Sequence, residues 1–173
     1  MKRKLIKLII LSTTLLASGG YDSGTSAGKG NWDISLTWNP FNFFEQGQSY
    51  AILGYGLTEK IDLHAYYSSS DKSNNNYYAG VFYQFINSKT FDIATAIGIR
   101  GYSESSKIHL FFPQILYSIN LINSISLGGS FVTIQETSNN LLLKGIATDI
   151  FISKKIYSSE KIEVNFSIGA FSP

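Results

Sequence analysis

Asp62 and His64 stand two residues apart, a spacing that puts a carboxylate and an imidazole on one face of an extended chain. Such a pair can orient a ring for general-base work or begin a metal site. Either chemistry needs a nucleophile or further ligands held beside it. The sequence supplies neither by motif. Serine is abundant, and Gly24-Thr25-Ser26-Ala27-Gly28 has the letters of a Gly-x-Ser-x-Gly elbow, but it lies in a Gly/Ser-rich leader and not between a strand and a helix, the setting that such an elbow needs. No Walker or dinucleotide glycine pattern occurs either. The chain has no cysteine, which removes thiolate nucleophiles, zinc–thiolate sites and iron–sulfur clusters. The expectation is therefore a protein with no catalytic, cofactor-binding or metal-binding set. The polar residues Asp62, His64, Gln84, Asp92, Arg100, Gln114, Asp149 and Glu163 are expected instead to form a network inside a closed sheet. His109 begins a strand beside a loop, where a surface or interface role is expected.

The elements that must carry these residues alternate with a period of two. Trp32-Asp33-Ile34-Ser35-Leu36-Thr37-Trp38 does so, as do the segments 61–67, 91–100 and 162–168. This is the pattern of strands with two unlike faces. Nine candidates follow: 32–38, 49–57, 61–69, 77–86, 91–102, 108–120, 124–135, 141–153 and 161–171. Several reach about 10 residues, the length a strand needs to cross a bilayer. The connections at 58–60, 87–90 and 121–123 are tight, whereas 68–76 is long and polar. Segment 154–160 reads as a longer turn.

One phase of the alternation is apolar and the other is small. Gly54, Gly56, Ala94, Ala96, Gly98, Ser126, Gly128, Ser130, Gly145, Ala147, Ser167 and Gly169 share the second phase. A water-facing exterior would carry Lys, Glu, Thr and Arg there. Small side chains suit a crowded lumen, where about eight strands leave room only for side-chain packing. The strand charges Asp33, Asp62, Asp92, Arg100, Asp149, Lys161 and Glu163 fall on that small phase. Lys144 alone does not, and it lies near a loop end from which its ammonium can reach an interface. The apolar phase is thus expected to face lipid. Aromatic residues near strand ends (Trp32, Trp38, Tyr67, Tyr77, Phe91, Tyr102, Phe171) agree with interfacial girdles.

The N-terminus has a basic stretch, Met1-Lys2-Arg3-Lys4, then an apolar run from Leu5 to Ala17, then Ala17-Ser18-Gly19-Gly20. This reads as a cleaved secretory signal peptide over 1–20. The run is too short and too interrupted for a spanning helix. Gly19 occupies the place of a lipidated Cys. Removing Lys2, Arg3, Lys4 and Lys7 leaves ten basic against twelve acidic residues, so the formal charge of +2 is no argument for nucleic acid. Segment 21–31 is rich in Gly and Ser and reads as a flexible leader. The domain proper is 32–173.

Tyr55-Gly56-Leu57-Thr58-Glu59-Lys60-Ile61-Asp62-Leu63 resembles the strand–tight turn–strand unit that recurs in bacterial outer-membrane β-barrel proteins. The export signal and the strand pattern extend the resemblance over nearly the whole chain. It is a likeness of architecture. It implies an antiparallel up-and-down transmembrane β-barrel of about eight to ten strands, placed in the outer membrane by the assembly machinery and surrounded by its lipid. Two departures stand out. Such barrels have even strand numbers, and many end in an aromatic residue, whereas this chain ends Phe171-Ser172-Pro173. A short extra strand within 40–45, or a segment 32–38 left outside an eight-stranded barrel, would restore an even count. The expected role is non-enzymatic: structural, adhesive or narrow porin-like transport. The alternatives are a soluble periplasmic or secreted barrel binding an apolar ligand, with the two faces exchanged, and an outer-membrane hydrolase using His64.

Overall fold

The computed structural model describes residues 23–38, 49–69, 75–103, 105–122, 124–137, 142–159 and 163–171. The expected signal peptide, the extra strand within 40–45 and the chain end Ser172-Pro173 lie outside these residues. So do the side chains of Lys144 and Phe171, and all of Lys161.

Among the described residues nine strands follow one another: β1 (Trp32–Trp38), β2 (Ser49–Gly56), β3 (Ile61–Ser69), β4 (Asn76–Asn87), β5 (Phe91–Tyr102), β6 (Ser105–Asn120), β7 (Ile125–Glu136), β8 (Leu142–Ser158) and β9 (Glu163–Phe171). No helix occurs among the described residues. Each strand pairs antiparallel with the next, in the spatial order β1 to β9. The sheet is all-β, up-and-down and curled into a half-barrel. Among the described residues β1 and β9 pair only with β2 and β8. Segment 32–38 is therefore part of the sheet, in register with β2 from Trp32↔Tyr55 to Trp38↔Ser49.

Tight turns gather at one end of the sheet, called here the turn end. At Leu57–Lys60 the Thr58 hydroxyl accepts from Lys60 N at 3.1 Å and Ile61 N at 2.9 Å. Ser88 does the same in the next turn, accepting from Thr90 N and Phe91 N. A short side-chain oxygen replaces the ladder partner that a reversing chain loses. Register shifts bend the sheet between Gln84 and Ile86, Ala96 and Gly98, and Phe111 and Gln114. Each inserts a residue on one side of a ladder and so increases the local twist. The shift in β6 keeps both Phe111 and Gln114 on the concave side, and the Phe112 carbonyl it frees accepts from Gln135 Nε2 at 2.8 Å.

Strand β8 runs on to Ser158, where a turn is expected from 154. Its pairing with β7 ends at Lys154, but Lys155, Tyr157 and Ser158 continue against Asn165, Val164 and Glu163. The β8–β9 hairpin thus overhangs its neighbour, closed by a Lys155 Nζ–Glu163 Oε2 contact of 2.7 Å. Both of those side chains are largely exposed, so this pair adds little stability.

The two faces separate as the alternation predicts. Leu63, Val81, Ile97, Ile115, Phe131 and Ile150, one from each strand β3 to β8, are all exposed on the convex face. The concave face holds Ala94, Ala96, Gly98, Gly128, Ser130 and Ala147, all buried. Large residues fill the space these leave. Phe82 packs with Ala94, Ala96 and Leu116, while Tyr66, Tyr78, Phe111, Val132, Ile134 and Ala147 form a second cluster.

Candidate functional site

The chemistry-bearing residues collect on the concave face. Asp62, Gln84, Asp92, Arg100, Gln114 and Asp149 are buried there, and His64 is half-buried. Glu163 does not join them. It sits in the overhanging hairpin, beyond the reach of the interior, and is held by Lys155 and by Asn165 Nδ2 at 3.1 Å. His109 is also corrected. Strand β6 begins at Ser105 rather than 108, so His109 lies inside a strand. It is buried on the concave face, with Tyr102 Oη 3.2 Å from its Nδ1.

Near the loop end the site is an aromatic cage around one cation. Arg100 is 2% exposed. Its Nη1 donates to Tyr66 Oη at 3.3 Å. Its guanidinium lies 4.6 Å from the Phe111 ring centre and 5.5 Å from that of Tyr102, within cation–π range. Tyr66 and Tyr78 stack at 5.0 Å with rings nearly parallel. Gln114 Nε2 donates to Tyr78 Oη at 3.1 Å and to the Phe111 carbonyl at 2.9 Å. Asp149 accepts a hydrogen bond from Ser130 Oγ on the neighbouring strand. The cavity among Tyr66, Tyr78, Ala96, Phe111, Gln114 and Val132 measures ≈ 20 Å³, room for about one water molecule.

Tyr78 explains two small residues nearby. Its ring covers both Gly80 and Gly98, and a Cβ at either would overlap it. Gly98→Val is expected to push Tyr78 off Tyr66 and to destabilise the sheet by about 1–3 kcal/mol, the usual cost of overpacking. Denaturant unfolding measures it; an unchanged midpoint would show that the ring is free to move aside.

The turn end is built differently, because residues 23–31 lie across it. Expected as a flexible leader, this segment is drawn in as a strap by successive strands. Gly24 N donates to Ser118 Oγ of β6 at 3.0 Å. Thr25 Oγ1 donates to Asp92 Oδ2 of β5 at 2.8 Å. Ser26 N reaches Gln84 Oε1 of β4 at 3.4 Å, and Ala27 N donates to Asp62 Oδ2 of β3 at 2.8 Å. Gly30 N then donates to Gly56 O, and Gly56 N to Asn31 O, carrying the segment into β1. Gly28 and Gly30 both have φ +78°, a conformation that glycine adopts without strain. A Cβ on Gly56 would overlap the Gly28 carbonyl.

The strap gives buried polar groups the partners they need. A carboxylate removed from water is costly unless it accepts hydrogen bonds. Asp92 accepts from Thr25 and, through Oδ1, from Ser88 N at 3.2 Å. Asp62 is engaged by Ala27 N, and His64 Nε2 stands 4.0 Å from Asp62 Oδ2, too far for a hydrogen bond. Asp62 Oδ1 and Gln84 Nε2 have no partner among the described residues. The His64 ring instead stacks on Phe82 at 5.2 Å. Among the described residues no group of three or more His, Asp or Glu is placed to hold a metal ion.

Comparison with protein-family models, with curated proteins and with solved structures finds no match.

The chemistry open to this face is thus recognition by hydrogen bonds at its turn end and cation–aromatic packing at its loop end. Sequence reasoning singled out Asp62, Gln84 and Asp92 but not Ser118, Tyr66 or Tyr78. The small or polar phase carries the signal for Ser118, which follows Leu116 and Gln114 at two-residue steps.

Proposed function

We propose that the chain is a small integral outer-membrane β-barrel protein with a non-enzymatic, structural or adhesive role. The observation that carries this reading is the inverted polarity of the sheet. Its convex face exposes large apolar side chains from β3 to β8, while charge and amide groups are turned inward. In water such a face is an aggregation hazard; against hydrocarbon it is the required exterior. Aromatics support the same placement. Tyr67 and Tyr77 face each other across β3 and β4 near the loop end, and Trp32, Tyr83 and Phe91 stand exposed near the turn end. The signal-like N-terminus accounts for export, and closure of the sheet would hide its two edges from lipid.

The crowding of the concave face, where Phe82, Leu116, Ile134 and Val132 are fully buried, favours a structural or adhesive role over solute transport, since open channels belong to wider barrels. The reading with the faces exchanged needs an apolar interior with room for a ligand. The concave face sets Asp62, Gln84, Asp92, Arg100, Gln114 and Asp149 among its apolar clusters, and the cavity among the aromatic residues has room for about one water.

Membrane fractionation tests the proposal. The protein is expected to stay in the outer-membrane pellet through a carbonate wash and to require detergent for release. Recovery in the carbonate supernatant, soluble without detergent, would end it.

A further inference from the structure

The strap and its seat make a relation between a binding site and a ligand within one chain. Four consecutive residues, 24 to 27, meet side chains on four consecutive strands: Ser118, Asp92, Gln84 and Asp62. Three of those four contacts use the main-chain N–H of the strap, a group any polypeptide presents. The fourth uses a hydroxyl. The four side chains of the seat all come from the sheet and are held by the ladders of four neighbouring strands. With the strap in place Ser118, Asp92, Gln84 and Asp62 are each 5% exposed or less. The seat also demands a slender occupant. A Cβ on Gly24 would lie 2.7 Å from the Asp92 carbonyl oxygen and 2.8 Å from Tyr117 Cα.

We infer that Ser118, Asp92, Gln84 and Asp62 form a binding site for an extended, small-residue polypeptide segment, occupied in cis by the releasable strap 23–31. The chemistry recognised is three main-chain N–H groups of small residues, read by a hydroxyl, an amide oxygen and a carboxylate, with one side-chain hydroxyl between them read by a second carboxylate. Nothing but strands β3 to β6 is needed for it, so it holds whether or not the sheet resides in a membrane. The unpartnered Asp62 Oδ1 and Gln84 Nε2 leave an acceptor and a donor for an occupant that fills the seat more completely than the strap does.

Lys29 provides the readout, because it is exposed and lies in the strap between two glycines of fixed conformation. In the purified full chain a lysine-specific protease is expected to cut after Lys29 slowly, since the strap must leave its seat to fit a protease cleft. Gly24→Val is expected to raise that rate about tenfold or more, the equivalent of one or two lost hydrogen bonds. It leaves the seat intact. A labelled synthetic peptide of the sequence Ser23–Asn31 should then bind the variant saturably and the parent chain far less. The same peptide carrying Gly24→Val should not bind. Thr25→Ala, which deletes one hydrogen bond without adding bulk, should give a smaller acceleration, and it decides the matter if Gly24→Val fails to fold. Equal cleavage in parent and variants would overturn the inference. So would a peptide that binds neither protein, or binds both equally.

Discussion

Ile97→Lys is expected to keep the protein out of the outer membrane. Ile97 lies at the middle of Phe91–Tyr102, opposite Val81, with its side chain 47% exposed on the convex face. Its β4 partner Val81 is aliphatic, and on the β6 side it falls in a register shift with no paired residue, so an ammonium at this depth has no carboxylate opposite it. Lysine at the midplane of a barrel costs about 2–4 kcal/mol, or roughly thirtyfold to several hundredfold in the insertion equilibrium. Ile97→Leu, of equal volume and polarity, is the control. The measurement is the amount of protein in the washed outer-membrane fraction beside the amount degraded or soluble. Wild-type insertion of the lysine variant would show that this face does not meet lipid, and the proposed location would fall with it.

Phe82→Ala should be the most damaging single truncation of the concave face. Phe82 is fully buried, with Ala94, Ala96 and Leu116 as its cluster neighbours and the His64 ring stacked against it. Two of those neighbours are alanines, which cannot reach into the space a lost ring leaves. Phenylalanine truncations in cores cost about 3–5 kcal/mol, and least where the site collapses. Here collapse is prevented by short side chains on rigid strands, so the upper part of that range is expected. Urea unfolding followed by circular dichroism measures it. A loss under about 1 kcal/mol would mean that the interior is loosely filled and that its packing does not hold the curl of the sheet.

The same alternation that exposes Ile97 and buries Phe82 made most of the sheet readable from residues alone. Period-two patterning fixes which side chains share a face, and a charge on the small phase, such as Asp62, Asp92 or Asp149, can then point only one way. What failed to be legible has a physical cause in each instance. His109 reads as a strand edge in the sequence because the serine-rich start of β6 carries no apolar alternation; pairing with β5 at Tyr102↔Ser105 extends the strand there. Glu163 has the right phase, but phase says nothing of height, and the overhang of the β8–β9 hairpin lifts it clear of the interior. The strap was hidden for a deeper reason. Its Gly and Ser composition reports only the lack of an apolar face, while three of its four contacts with the seat are made by main-chain N–H groups that every sequence has. Three of its four acceptors, Asp62, Gln84 and Asp92, are visible singly, in three separate strands. Their common occupant is not.

The number of strands carries a consequence of its own. The nine described strands alternate in direction, so β1 and β9 point the same way. An even sheet can curl round and shut with the antiparallel ladder used throughout. Closed through β1 and β9, the described strands meet as a parallel seam, with slanted hydrogen bonds and slightly weaker pairing. The other route is to peel β1 from β2, which leaves eight strands whose outer members, β2 and β9, run in opposite directions. The paired bonds between Gly56 and residues 30–31 stand at the point where such peeling would begin. The strap is therefore also the fastening that decides which of the two seams the sheet can make.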